Sequence, residues 1–125
     1  MSTIVWVALA GGAGALVRFG ITLALPRPTP SSFPLAILLV NIAGSFIAGV
    51  TLGLRLLDVV SIDVAIVIWA GLCGGLTTFS TFAVETVLLA GQRIRTAWRN
   101  VTLTIILSVL AAGVGLFLTQ LVLGR

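Results

Sequence analysis

Long apolar runs along this chain alternate with short breaks that are charged or rich in proline. Uncharged stretches occupy 1–17, 28–54, 64–84 and 100–124, and a helix needs about 20 apolar residues to cross the hydrocarbon core of a bilayer. The pattern predicts four spans, at about 4–25, 34–54, 63–90 and 101–123. Arg18 interrupts the first, while Asp63 and Glu85 bound the uncharged part of the third. Each run is continuously apolar, whereas the strands of a membrane barrel alternate over about ten residues. The expected fold class is therefore an all-α membrane protein, a single four-helix transmembrane domain over 1–125.

Short connections complete this picture. Residues 26–34, Pro-Arg-Pro-Thr-Pro-Ser-Ser-Phe-Pro, read as a turn that stops the first helix, because proline removes a donor and clashes with the preceding turn. Positions 55–62 and 91–100 read as the other two loops. None has the length of a soluble domain, and no inverted repeat is visible. The first span lacks Lys or Arg in residues 1–5 and carries Arg18 within it, so it reads as retained rather than as a cleaved signal peptide.

Composition narrows the function classes. The chain is 59% hydrophobic and 8% charged, which leaves too little polar surface to cover a water-soluble globule. Cys73 is the one cysteine, which excludes a disulfide framework, and histidine is absent, so zinc and hydrolytic chemistry lose their commonest ligand and base. There is no lysine and hence no phosphate-binding GxxxxGK[ST] loop. The Gly11-Gly12-Ala13-Gly14 run lacks the preceding strand that a dinucleotide site requires. Neither an enzyme nor a nucleotide-binding protein is expected.

The net charge of +4 comes with seven arginines. Arg93, Arg95 and Arg99 fall between spans, where basic residues hold against lipid headgroups, so the charge predicts no nucleic-acid partner. An even number of spans places Arg55 and Arg125 on one side and Arg27, Arg93, Arg95 and Arg99 on the other. That imbalance specifies orientation weakly, and insertion in both directions is expected.

Chemistry concentrates in the spans. Residues 71–82 read Gly-Leu-Cys-Gly-Gly-Leu-Thr-Thr-Phe-Ser-Thr-Phe and place glycines, hydroxyls and aromatics at membrane depth. The glycines beside Thr77, Thr78, Ser80 and Thr81 suggest local unwinding, with the third helix broken near its middle. Backbone freed at that depth needs a protein or polar partner, and freed carbonyls suit a hard cation such as sodium. Phe79 and Phe82, three apart, share a helix face. They serve either packing or, through electropositive ring edges, a small anion.

Asn41, mid-span in the second helix, either makes an interhelical hydrogen bond or aims a donor at a permeating anion. Glu85, three residues past Phe82, either snorkels to the interface or marks the wet end of a path. Thr104 and Ser108 either bond back to their own helix or begin a polar track that Ala112 continues without a hydroxyl. Arg18 is expensive in lipid and takes a structural or vestibule role. Gly11 and Ala15, Gly49 and Gly53, Gly71 and Gly75, and Ala111 and Gly115 are small-xxx-small pairs suited to close helix packing. So small a chain has little room to enclose a path, which points to an oligomer.

Three segments taken together, Gly-Gly-Ala-Gly-Ala-Leu-Val-Arg-Phe at 11–19, Val-Asn-Ile-Ala-Gly-Ser-Phe at 40–46 and the run at 71–82, resemble the CrcB/Fluc family of fluoride channels. The resemblance covers essentially the whole chain. It implies a fluoride-selective channel for passive export in the cell inner (plasma) membrane, assembled as a dual-topology antiparallel homodimer with two pathways. It further implies an anion pathway along Asn41, Phe79, Phe82, Glu85, Thr104 and Ser108, to which the neighbouring hydroxyls of Ser80 and Thr81 are added on residue type. A structural sodium ion at the dimer centre would be held by backbone carbonyls of Gly74 and Thr77. Fluoride, a second copy of the chain and the bilayer are the partners so implied. A proton-coupled exporter of the small multidrug type is the alternative, but it needs an embedded carboxylate, typically in the first span, and this first span has none.

Overall fold

The computed structural model describes residues 2–26, 29 and 32–124. Part of the proline-rich turn, together with Arg27 and Arg125, lies outside the described residues. Helix α1 is Thr3–Ala24 and α2 is Leu35–Leu56. The third span begins with Ile62–Ile66, continues through the π-helical turns of Val67–Cys73 and ends its first half at Gly74–Leu76. We call that continuous rod, 62–76, α3. After Thr77 and Thr78 the chain resumes as α4, Phe79–Gln92, followed by α5, Ile94–Leu123. Among the described residues four stretches are long and apolar enough to cross a membrane: Thr3–Ala24, Leu35–Leu56, Ile62–Gln92 and Ile94–Leu123.

The last span differs from the expectation of a start near 101 and a loop over 91–100. Helix α5 begins at Ile94, and Arg93 alone is non-helical between it and α4, with φ −144° and ψ 87°. Hydropathy marks the lipid-embedded part of a helix, whereas no proline follows Gly91 to stop the backbone, so the helix runs on beyond the apolar window. Arg95 and Arg99 therefore ride on the first turns of α5. At the opposite end of the bundle, residues 57–61 form a tight turn in which Asp58 takes a left-handed φ of 52° and pairs with Arg55. Aspartate is among the few side chains that tolerate this region. Ser61 then caps α3, its hydroxyl accepting from Val64 N–H at 3.3 Å, with Asp63 in the first turn favouring the helix dipole.

Packing follows the glycines. Helices α1 and α3 run parallel: the Thr3 hydroxyl donates to Asp63 Oδ1 at 3.1 Å, and a Cβ at Gly75 would overlap the carbonyl oxygen of Gly11. A Cβ at Gly14 would likewise strike the Leu72 carbonyl. Helices α2 and α5 form the other intimate parallel pair, in which Gly49 lies against the backbone of Ala112, Gly53 against Thr119, and Gly115 against Phe46 and Val50. Ala112, one residue beyond the expected Ala111, is thus the small residue that meets Gly49. Backbones brought this close gain dispersion that lipid cannot supply.

The chain changes neighbours at Thr77 and Thr78. Before them α3 packs on α1, and after them α4 packs on α5. Trp69 ties the π-helical segment to α2, its indole N–H donating to Ala48 O at 3.1 Å.

Candidate functional site

Thr77 and Thr78 are both extended, with φ/ψ of −80°/159° and −149°/123°. Two local interactions set this geometry. The Thr77 hydroxyl and N–H both donate to Cys73 O, at 2.8 and 2.9 Å, closing α3. Thr78 caps α4: its hydroxyl oxygen accepts from Thr81 N–H at 3.2 Å and donates to Thr81 Oγ1 at 3.1 Å. Threonine is well suited to an N-cap because its oxygen replaces a carbonyl that the helix start lacks.

The peptide of Thr78 is held from α2. Asn41 Oδ1 accepts from Thr78 N–H at 2.9 Å, and Asn41 Nδ2 donates to Thr78 O at 3.2 Å. The carboxamide is nearly enclosed, at 9% exposure, and one of its two amide hydrogens remains beyond this pair. The interhelical bond and the spare donor are therefore both features of the same side chain.

A cleft of about 390 Å³ opens beside this junction. Asn41 and Ser45 of α2, Thr77 and Thr78, Phe79 and Phe82 of α4, and Thr104, Ile105, Ser108 and Val109 of α5 line it. The two phenyl rings lie with centroids 5.7 Å apart and planes tilted by 49°. Phe82 is buried at 8% exposure, whereas Phe79 projects from the bundle at 79%. Thr104 Oγ1 and Ser108 Oγ are buried without a partner among the described residues. A buried hydroxyl with no partner is costly and calls for explanation.

Not every expected residue reaches the cleft. Ser80 and Thr81 belong to the capping cluster, with Ser80 Oγ 3.3 Å from Thr78 Oγ1, and neither lines the cleft. Glu85 faces a separate cavity of about 310 Å³ with Thr29, Ser32, Pro34, Leu88, Leu89 and Gln92, at the end of the bundle where α4 stops. One of its carboxylate oxygens, Oε2, is buried without a partner among the described residues. Arg18 lies half-buried on α1, and among the described residues the one ion pair joins Arg55 to Asp58. Ser45, absent from the residues expected on sequence, lines the cleft because it sits one helical turn from Asn41 and so shares its face.

Among the described residues no cluster of three or more His, Cys, Asp or Glu is placed to hold a metal. The break does free backbone oxygens. In an unbroken α helix Thr78 N–H would reach Gly74 O and Thr81 N–H would reach Thr77 O. Here Thr78 N–H goes to Asn41 and Thr81 N–H to the Thr78 hydroxyl. Gly74 is also exposed on the surface of the bundle. Those two carbonyls have the hard-oxygen chemistry that a sodium ion requires.

Fold and site together define a small polytopic helical membrane protein with a neutral cleft of amide, hydroxyl and phenyl groups beside the extended residues Thr77 and Thr78. The family described as CrcB-like protein, Camphor Resistance (CrcB), matches residues 5–116, and the chain belongs to it. It is 39% identical over 127 aligned residues to the fluoride-specific ion channel FluC of Shewanella woodyi, covering 100% of this chain and 99% of the relative. Identity is 38% to FluC of Shewanella frigidimarina, over 87% of this chain and 86% of the relative. To FluC of Flavobacterium psychrophilum it is 35%, over 96% and 98%.

Proposed function

We propose that this chain is a fluoride-selective channel that lets fluoride leave the cell passively, and that it resides in the cell inner (plasma) membrane as a multi-pass protein. The observation that carries the reading is the cleft beside Asn41 and Phe82, lined by neutral donors and free of charged side chains, in a chain with full-length relatives named as fluoride-specific channels. Fluoride is small and tightly hydrated, so a path must replace its water with donors at close range. The remaining Asn41 amide hydrogen, the Thr104 and Ser108 hydroxyls and the positive ring edges of Phe79 and Phe82 are such donors. Neutral dipoles also let the ion go, which conduction demands.

The working unit in this reading is an antiparallel, dual-topology homodimer. The weak arginine asymmetry supports it. So does Phe79, which projects from the single chain beside the cleft and would gain a neighbour from a second copy. We take Thr77 and Thr78 as the functional break of the third span. The carbonyls of Gly74 and Thr77 would hold a structural sodium ion between copies, which would pin the two breaks together. Ser80 and Thr81 support the pathway through the Thr78 cap, Glu85 marks an outer vestibule in the separate cavity where α4 ends, and Arg18 has a structural role within snorkelling reach of the interface.

Purified protein in liposomes, with a potassium gradient, valinomycin and a fluoride electrode, tests the proposal. Rapid fluoride release with chloride retained is the expected result. Vesicles that hold fluoride, or that release it only under a proton gradient, overturn it.

A further inference from the structure

Asn100 is the most enclosed polar side chain among the described residues, at 1% exposure, yet it does not line the cleft. Its Nδ2 donates to Thr86 Oγ1 at 2.8 Å, and the Thr86 hydroxyl donates to the carbonyl of Phe82 at 2.7 Å. The chain of bonds runs from α5, through one hydroxyl, to the backbone of the residue whose ring is buried in the cleft. A hydroxyl that accepts one bond while donating another is polarised, and each bond strengthens its neighbour in a low-dielectric interior. A threonine bonded back to the carbonyl four residues earlier also biases the local bend of its helix.

Two asparagines therefore bracket α4. Asn41 of α2 grips its cap at Thr78, and Asn100 of α5 grips it two turns further on at Thr86. One attachment leaves a helix free to rotate about it; two attachments from different helices do not. We infer that Asn100 is a positioning residue for the anion path, acting through Thr86 to fix the rotation of α4 and hence the Phe82 ring. The inference rests on the channel reading above for its effect on flux, but not for its effect on the ring.

The test uses full-length protein carrying 4-fluorophenylalanine at position 82, read by fluorine NMR in micelles and by fluoride efflux from liposomes. Thr86→Val keeps the volume and removes the hydroxyl; Thr86→Ser keeps the hydroxyl; Asn100→Ala removes the donor. Thr86→Val and Asn100→Ala are expected to shift or broaden the ring signal and to slow efflux about fivefold to tenfold. Thr86→Ser should retain the parent signal and rate, and the double variant should be no worse than either single change. If Asn100→Ala does not fold, the comparison of Val and Ser at position 86 decides alone. An unchanged ring signal in folded Thr86→Val overturns the inference, as does a Ser variant as impaired as the Val variant. Should the parent vesicles be impermeable to fluoride, the channel reading fails while the ring signal still decides the positioning role.

Discussion

The carboxamide of Asn41 and the peptide of Thr78 bond in both directions, at 2.9 and 3.2 Å, across 37 residues of sequence. The pair satisfies a backbone group at membrane depth that would otherwise cost several kcal/mol. It also aims the remaining amide hydrogen.

Asn41→Asp replaces the donating nitrogen by an oxygen, which then opposes Thr78 O and sets a negative charge beside the cleft. Fluoride efflux should fall by at least about a hundredfold, because a buried carboxylate with no cation beside it, set against a carbonyl oxygen, costs about 3–5 kcal/mol. Liposome efflux and the melting temperature in detergent should fall together. A variant with parental values for both would show that Asn41 neither conducts nor holds the break.

Ser108→Ala and Thr104→Val remove hydroxyls that have no partner among the described residues. Deleting an unsatisfied buried group is neutral or stabilising by up to about 1 kcal/mol, while a pathway would lose a donor. The expected outcome is an unchanged or higher melting temperature with slower fluoride efflux. Destabilisation with unchanged efflux would assign these hydroxyls to packing.

Gly49→Ala places a methyl into the backbone of Ala112, where neither partner is a flexible side chain. Overpacking of this kind costs about 1–3 kcal/mol. Gly113→Ala, with nothing within 4 Å of its Cβ position, is the internal control. Thermal unfolding in detergent should separate the two; equal melting points would contradict the α2–α5 contact.

Exchange of sodium for a large organic cation during purification should lower the dimer fraction and its melting temperature. A ligand that binds only the assembled state stabilises it by about 2.7 kcal/mol at a hundred times its dissociation constant. Light scattering across a sodium titration reads this, and indifference to sodium would remove the carbonyl site.

Much of the architecture is legible in the sequence. Four spans and an all-helical class follow from apolar runs between charged residues, and they differ from the helices in Thr3–Ala24, Leu35–Leu56 and Ile62–Gln92 by one or two residues at most ends. The start of α5 was not legible, because hydropathy cannot see a helix that continues into charged sequence. Asn41, Phe79, Phe82, Thr104 and Ser108 stand out by residue type at membrane depth, and the structure gathers all five around one cleft. Ser80, Thr81 and Glu85 look equivalent to them in sequence but face elsewhere. Asn100 and Thr86, fourteen residues apart on different helices, leave no sequence signal of their bond.

Solvation is a sum over single side chains, so the order of residues was enough to place this protein in lipid and to show where its polar groups are concentrated. Which of those groups meet is a pairwise matter. It depends on glycine contacts that set helix against helix, and on two extended residues, Thr77 and Thr78, where the chain passes from packing on α1 to packing on α5. Only the packed structure decides that.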